Sequence, residues 1–209
     1  MARRHIAVTG EGSVRRMPDL AVVSAAVSVR DRKLDAARDR ANARASEILA
    51  ALHTIGVLEE DVQAPSLQVH PTYDHVRGTT KLSGYEATRP FSIRVRDISQ
   101  LGVIFDVLVD DGPTQIHGTS MELAEPEGAA QEALAAAVAH AQGRAEALAT
   151  AAGVTLGAAL RIEEEGGGMP APFAMRAMKA ELAADSVPTE VAPGEIEISA
   201  RVRVWFALE

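Results

Sequence analysis

The densest group of metal-capable side chains is His70-Pro71-Thr72-Tyr73-Asp74-His75, with two histidines, a tyrosine and a carboxylate in six residues. Imidazole and carboxylate are zinc ligands, but a closed site needs about four donors around one point. On an extended strand, side chains alternate faces. The odd spacing of His70 and His75 sends them to opposite sides, so a metal site would need a bend and ligands from elsewhere. The pattern is that of a polar hairpin edge.

Glu163-Glu164-Glu165, followed by Gly166-Gly167-Gly168, is a second candidate. Hard cations take carboxylates spaced around a turn. Three adjacent glutamates fit a solvated charge run better. Gly10-Glu11-Gly12 has the first spacing of a phosphate loop, which requires a strand, a turn and a helix start. Here strand-like alternation runs on to Val14, so the glycines are read as places where a neighbouring element approaches closely. Ser24, Ser28 and Ser120 lie in no nucleophile signature such as G-x-S-x-G. His53 and His140 fall on alanine-rich helical stretches and are read as surface or interface residues. No catalytic, cofactor-binding or metal residue is assigned, and no cofactor is expected.

Composition narrows the classes further. The 209 residues, 22.0 kDa, contain no cysteine, which excludes disulfides, thiolate metal sites and thiol redox chemistry. The balance of 21 basic against 29 acidic residues leaves −8, which argues against nucleic acid and anionic membranes as partners. Aromatics are 3%, and alanine fills 39 positions. A chain of this size buries about 70% of its unfolded surface, enough for a core without staples. No run of about 18 apolar residues is present, so no transmembrane helix is expected. Met1-Ala2-Arg3-Arg4-His5-Ile6 lacks the apolar region of a signal peptide. The expectation is therefore a cytoplasmic chain, or a periplasmic or cell-envelope one if a leader has been replaced by Met1.

The elements that would position these residues alternate between periods of two and 3.6. His5 to Met17 and Leu20 to Arg30 read as strands, paired in a hairpin across Met17-Pro18-Asp19. Leu34, Ala37, Ala41, Ala45, Ile48, Leu52 and Ile55 form one face of a long helix ended by Gly56. Val62 to Tyr73 and Leu82 to Arg96 read as two long strands joined near Gly78. Pro65, Pro71 and Pro90 confine them to edges, bulges or ends. Ile98 to Val109 is a short helix with Leu101, Phe105 and Leu108 inward, and Thr114 to Ala124 is a strand. Pro126 opens the second long helix, with the stripe Leu134, Ala137, Ala141, Ala145, Leu148 and Ala152, closed by Gly153. Ala158 to Glu164 is a strand. In the final strand Ile196, Ile198, Ala200, Val202, Val204, Phe206 and Leu208 alternate with polar residues, and this strand is expected inside a sheet. The endings Ile55-Gly56-Val57 and Ala152-Gly153-Val154 suggest a pseudo-repeat of sheet plus helix.

The fold class is α+β. The expectation is a largely antiparallel, long-stranded sheet, with two long Ala-rich helices and one short helix on one face. The β-α-β-β-α-β order from the second strand also fits a ferredoxin-like core. Residues 1–209 are read as a single domain with an extended arm over 166–194. A connection of that length is usually functional or disordered. Within it, Phe173, Met175, Met178 and Leu182 give a narrow apolar stripe. It reads either as a short helix covering the core or as an arm that packs on a neighbouring subunit. The second is the prediction.

Ile6-Ala-Val-Thr-Gly-Glu-Gly-Ser-Val14, then Pro18-Asp19-Leu-Ala, resembles the SIMPL-domain, YggE-like group of bacterial oxidative-stress-defence proteins. Further matching markers are Gly56-Val57, Asp61-Val62-Gln63, Pro71-Thr72-Tyr73, Gly84-Tyr85-Glu86-Ala87, Pro193-Gly194-Glu195 and Val202-Arg-Val-Trp-Phe206. The resemblance implies an α+β fold, export to the periplasm or cell envelope, a link to oxidative stress and the formation of oligomers. It supplies no catalytic residues. The expected function is thus a non-catalytic, self-assembling homo-oligomer. A small-molecule or ion-binding module is the alternative, and the ligand is unknown.

Overall fold

The computed structural model describes residues 4–76, 79–109, 114–165, 173–174 and 194–209. In chain order their elements are β1 (His5–Arg16), β2 (Leu20–Asp31), α1 (Leu34–Thr54), β3 (Val62–Gln63), β4 (Gln68–Val76), β5 (Thr79–Val95), α2 (Leu101–Val109), β6 (Thr114–Glu122), α3 (Pro126–Ala151), β7 (Leu156–Glu164), β8 (Phe173–Ala174) and β9 (Ile196–Leu208). Short 3-10 turns, Glu59–Asp61 and Ile98–Gln100, precede β3 and α2. The class is α+β with antiparallel pairing throughout. The strands form two sheets rather than one, and the chain divides into two compact units.

The first unit carries the three-stranded sheet β1-β9-β7 and α3. The C-terminal strand β9 is its centre, as its alternation predicts. Ile196, Ile198, Val202, Val204 and Phe206 are buried. The buried face of α3 departs from the expected stripe. It is Ala129, Ala133, Ala137, Ala141, Ala145 and Ala149, one residue type at every fourth position. Leu134 is only partly buried and Leu148 is 50% exposed. The cause lies in β1. A Cβ placed on Gly10 would stand 2.0 Å from the Ala137 carbonyl oxygen, and one on Gly12 would stand 2.3 Å from that of Ala133. The helix backbone rests directly on the two glycines, so only methyl-sized side chains fit its inner face.

The second unit carries β3-β5-β2-β6-β8, with β4 also pairing β5, and the helices α1 and α2. In chain order this unit runs β2-α1-β3-β4-β5-α2-β6, so three strands stand between the helices where a β-α-β-β-α-β order has two. Its core joins Ala37, Ala41, Ala45, Ile48 and Leu52 of α1 to Val23, Val27, Phe91 and Ile93 of the sheet and Leu101, Ile104 and Leu108 of α2. Ile104 takes the fully buried place expected for Phe105, which packs at the margin.

The expected hairpin of the first two strands does not form. β1 pairs with β9 over its whole length, and β2 lies between β5 and β6. β2 is buried along one face, at Ala21, Val23, Ala25, Val27 and Val29, while the other carries buried Leu20 and Ala26 beside exposed Ser24 and Arg30. The strand expected from Val62 to Tyr73 is broken into β3 and β4 around Pro65, which has no N–H for a ladder. Pro90 falls in the gap this leaves: β4 reaches Thr88 of β5, and β3 begins at Ser92.

Both long helices end the same way. Gly56 and Gly153 have φ of 92° and 68°. The Val57 N–H donates to Leu52 O and that of Val154 to Ala149 O, while the glycine N–H groups donate to His53 O and Thr150 O. This is the Schellman closure, in which glycine takes the left-handed position.

Candidate functional site

The residues singled out for chemistry do not converge. His70 lies opposite Glu86 on β5, and His75 opposite Thr80, whose Oγ1 is 3.2 Å from the His75 Nε2. A bulge between Thr72 and Tyr73 separates them. Among the described residues, no three His, Asp or Glu side chains are grouped to hold a metal ion. The glutamate run is matched by arginines. Glu163 pairs with Arg161, and Glu165 Oε1 lies 3.6 Å from Arg203 Nε. Ser28 Oγ donates to Glu86 Oε1 at 2.8 Å, and Ser120 Oγ to Glu122 Oε1 at 2.8 Å. The Arg30 guanidinium, then the Ser28 hydroxyl, hold the Glu86 carboxyl below its ordinary range. His53 is exposed on α1. Phe173 pairs through its backbone with Met121, next to Ala174 opposite Ser120. Met175, Met178 and Leu182 lie outside the described residues.

A polar cleft of about 640 Å³ lies beside β1 and β9, lined by Glu11, Ser13, His140, Glu165, Glu197 and Arg201 among others. Its three carboxylates are each met by a cation: Glu11 by Arg201, Glu165 by Arg203 and Glu197 by Arg15. Charge-matched carboxylates of this kind are a lattice of ion pairs rather than an acid–base couple.

The informative contrast is among the edges of the two sheets. An unpaired edge offers free N–H and C=O groups to any other strand, and proteins blunt it with proline, bulges, short strands or covering side chains. The β1 edge is covered. Arg144 Nη1 donates to Thr9 O at 2.7 Å. One turn earlier, His140 Nδ1 lies 3.1 Å from Glu11 N and 3.0 Å from Glu11 O. Unprotonated, this nitrogen accepts from the Glu11 N–H; protonated, it donates to the carbonyl. Sequence reasoning placed His140 at the surface but missed this task. The available signal was the i, i+4 pair His140 and Arg144 flanking the alanine row.

In the other sheet, β8 pairs with β6 at Ser120 and Met121, β3 is two residues long, and β4 contains Pro71 and runs opposite a bulge at Ser83 of β5. The remaining edge is β7. Among the described residues no strand pairs with its outer side. It has neither lysine nor proline, and it exposes Leu160 by 44% and Ile162 by 55%. Its register on β9 shifts twice, between Leu156 and Ala159 and again at Leu160, and is regular from Arg161 to Glu164, which oppose Trp205 to Val202. The Arg161 and Arg203 guanidinium groups stand 5.0 and 5.8 Å from the Trp205 ring centre and brace this stretch.

Two antiparallel sheets, each faced by alanine-rich helix, with ion-paired polar surfaces, define an α+β protein of the SIMPL kind. The chain belongs to this family, whose model, described as "Protein of unknown function (DUF541)", matches residues 6–206. It is 31% identical over 213 residues to the 26 kDa periplasmic immunogenic protein of Brucella melitensis, covering 98% of this chain and 84% of that protein. It is 27% identical over 206 residues to the uncharacterized protein YggE of Escherichia coli K12, covering 98% and 83%. No described helix is long and apolar enough to cross a membrane.

Proposed function

We propose that this chain is a non-catalytic, self-assembling protein of the SIMPL family that serves cell-envelope or oxidative-stress defence as a homo-oligomer. The observation that carries this reading is the edge of β7, with Leu160 and Ile162 exposed and no strand on its outer side among the described residues. Edges of this kind associate with other strands. The arm around Phe173, with Met175, Met178 and Leu182, is proposed as a further subunit contact. The envelope part of the reading draws on the family resemblance and on the periplasmic relative from Brucella. Light scattering at micromolar concentration tests the assembly: more than one chain per particle is expected, and a strict monomer refutes it.

A further inference from the structure

We infer that β7 is the contact itself: two copies of the chain pair their β7 strands antiparallel about a twofold axis that passes through Ile162. This rests on the self-assembly reading and specifies its interface.

Hydrogen-bond parity selects the residues. The Glu165 N–H donates to Arg201 O at 2.8 Å, toward β9. In an antiparallel ladder, alternate residues point the same way. Glu163 and Arg161 therefore bond inward to β9, and Ile162 and Glu164 present their N–H and C=O groups outward. The regular register from Arg161 to Glu164 keeps this alternation intact.

Charge selects the register. With Ile162 opposite Ile162 of the second copy, Arg161 of each chain faces Glu163 of the other, twice. Opposite charges directly across a strand pair are favourable, and like charges unfavourable. A twofold through Arg161 would place Arg161 against Arg161, and one through Glu163 would oppose two glutamates. The Ile162 register also brings two half-exposed isoleucines together on one face. The pairing is isologous, as a twofold requires. The β1 edge carries His140 and Arg144 and β4 carries Pro71, while β8 pairs with β6 at Ser120 and Met121, and the rest of the β6 edge lacks the alternating Arg161 and Glu163 that fix the β7 register.

The absence of native cysteine makes the test direct. In Ile162→Cys the only two thiols of the pair would sit on residues whose Cα atoms are about 5.5 Å apart, within disulfide range. In Leu160→Cys, the thiols would be four residues apart along the strands, about 13 Å, and out of reach. With copper-phenanthroline as oxidant, Ile162→Cys is expected to run at twice the chain mass on a non-reducing gel and Leu160→Cys at the single mass. Ile162→Lys is expected to weaken association at least tenfold while the circular-dichroism melt is retained. If light scattering shows an oligomer but Ile162→Cys does not cross-link, or Leu160→Cys cross-links equally, the β7 interface is overturned and self-assembly stands. If the unaltered chain is a monomer at every concentration, both fall.

Discussion

Arg96 grips Asp61 through both carboxylate oxygens, Nε at 2.7 Å from Oδ2 and Nη2 at 2.9 Å from Oδ1. Asp61 is the buried charged residue among those described, at 3% exposure. It closes the 3-10 turn before β3, and Arg96 follows the end of β5. The fork-on-carboxylate geometry thus ties the entry of one strand to the exit of its neighbour. The Arg96 hydrogen bonds pull the Asp61 carboxyl below its ordinary value and prevail over burial, which pushes it up.

The pH dependence of stability follows. A carboxyl whose pKa is lower folded than unfolded stabilises the protein above the unfolded value, and that contribution is lost as pH falls through the folded value. The difference in urea midpoint between the unaltered chain and Asp61→Asn is expected to be constant from about pH 7 to 5. It should narrow below about pH 4, where an unfolded aspartate begins to protonate. A gap that widens on acidification would contradict the pairing.

The contact of α3 on β1 makes a steric prediction. Gly12→Val would drive its Cβ into the Ala133 carbonyl and the Ala137 amide, 2.3 and 2.5 Å from the position a Cβ would take. Backbone cannot move aside as a side-chain tip can. A loss of about 3 kcal/mol is expected, at the upper end for overpacked sites. Thermal denaturation followed by circular dichroism checks it, and an unchanged melting temperature would remove the close packing.

Val204 is 0% exposed at the centre of the three-stranded sheet. Val204→Ala is expected to cost about 2 kcal/mol through the cavity it leaves. Val204→Asp buries a charge with no partner, which costs several kcal/mol more. Urea titration should show a lowered midpoint for the first and no cooperative transition for the second.

His140 and Arg144 give a prediction about association rather than stability. Replacing both with alanine uncovers Thr9 O and the Glu11 backbone. The melting temperature is expected to change little, since both side chains are exposed. Light scattering should detect species larger than those of the unaltered chain, and their absence would mean that the edge is closed by other means.

Much of this architecture was legible in the chain. Periodicity located β9, α1 and α3, and the two glycine endings announced identical helix closures. These features depend on residues within a turn or two of each other. Gly10 and Gly12 were legible as close-approach positions, though not what approaches. Partnership was not legible. That β1 pairs with β9, with Gly10 opposite Val202, is decided by contacts nearly the whole chain apart. The loop between β1 and β2 pointed to a hairpin, but β1 pairs with β9 and β2 with β5 and β6. The inner row of α3 was misread because leucine was preferred over alanine as a core residue, and the missing side chains of β1 reverse that preference. The covering of β1 by His140 and Arg144 needs the helix to be docked before it can be seen.

That covering limits what the three-stranded sheet can add through its edges. In the language of step-growth polymers, a unit reactive at both ends makes chains, and a unit reactive at one end makes only pairs. The sheet β1-β9-β7 is of the second kind, with its β7 side available and its β1 side terminated by two side chains of α3. Joined through β7, two copies would form one six-stranded sheet whose outer margins are both already terminated. Through this sheet alone, a surface that could have seeded a fibre would instead be used up in one pairing.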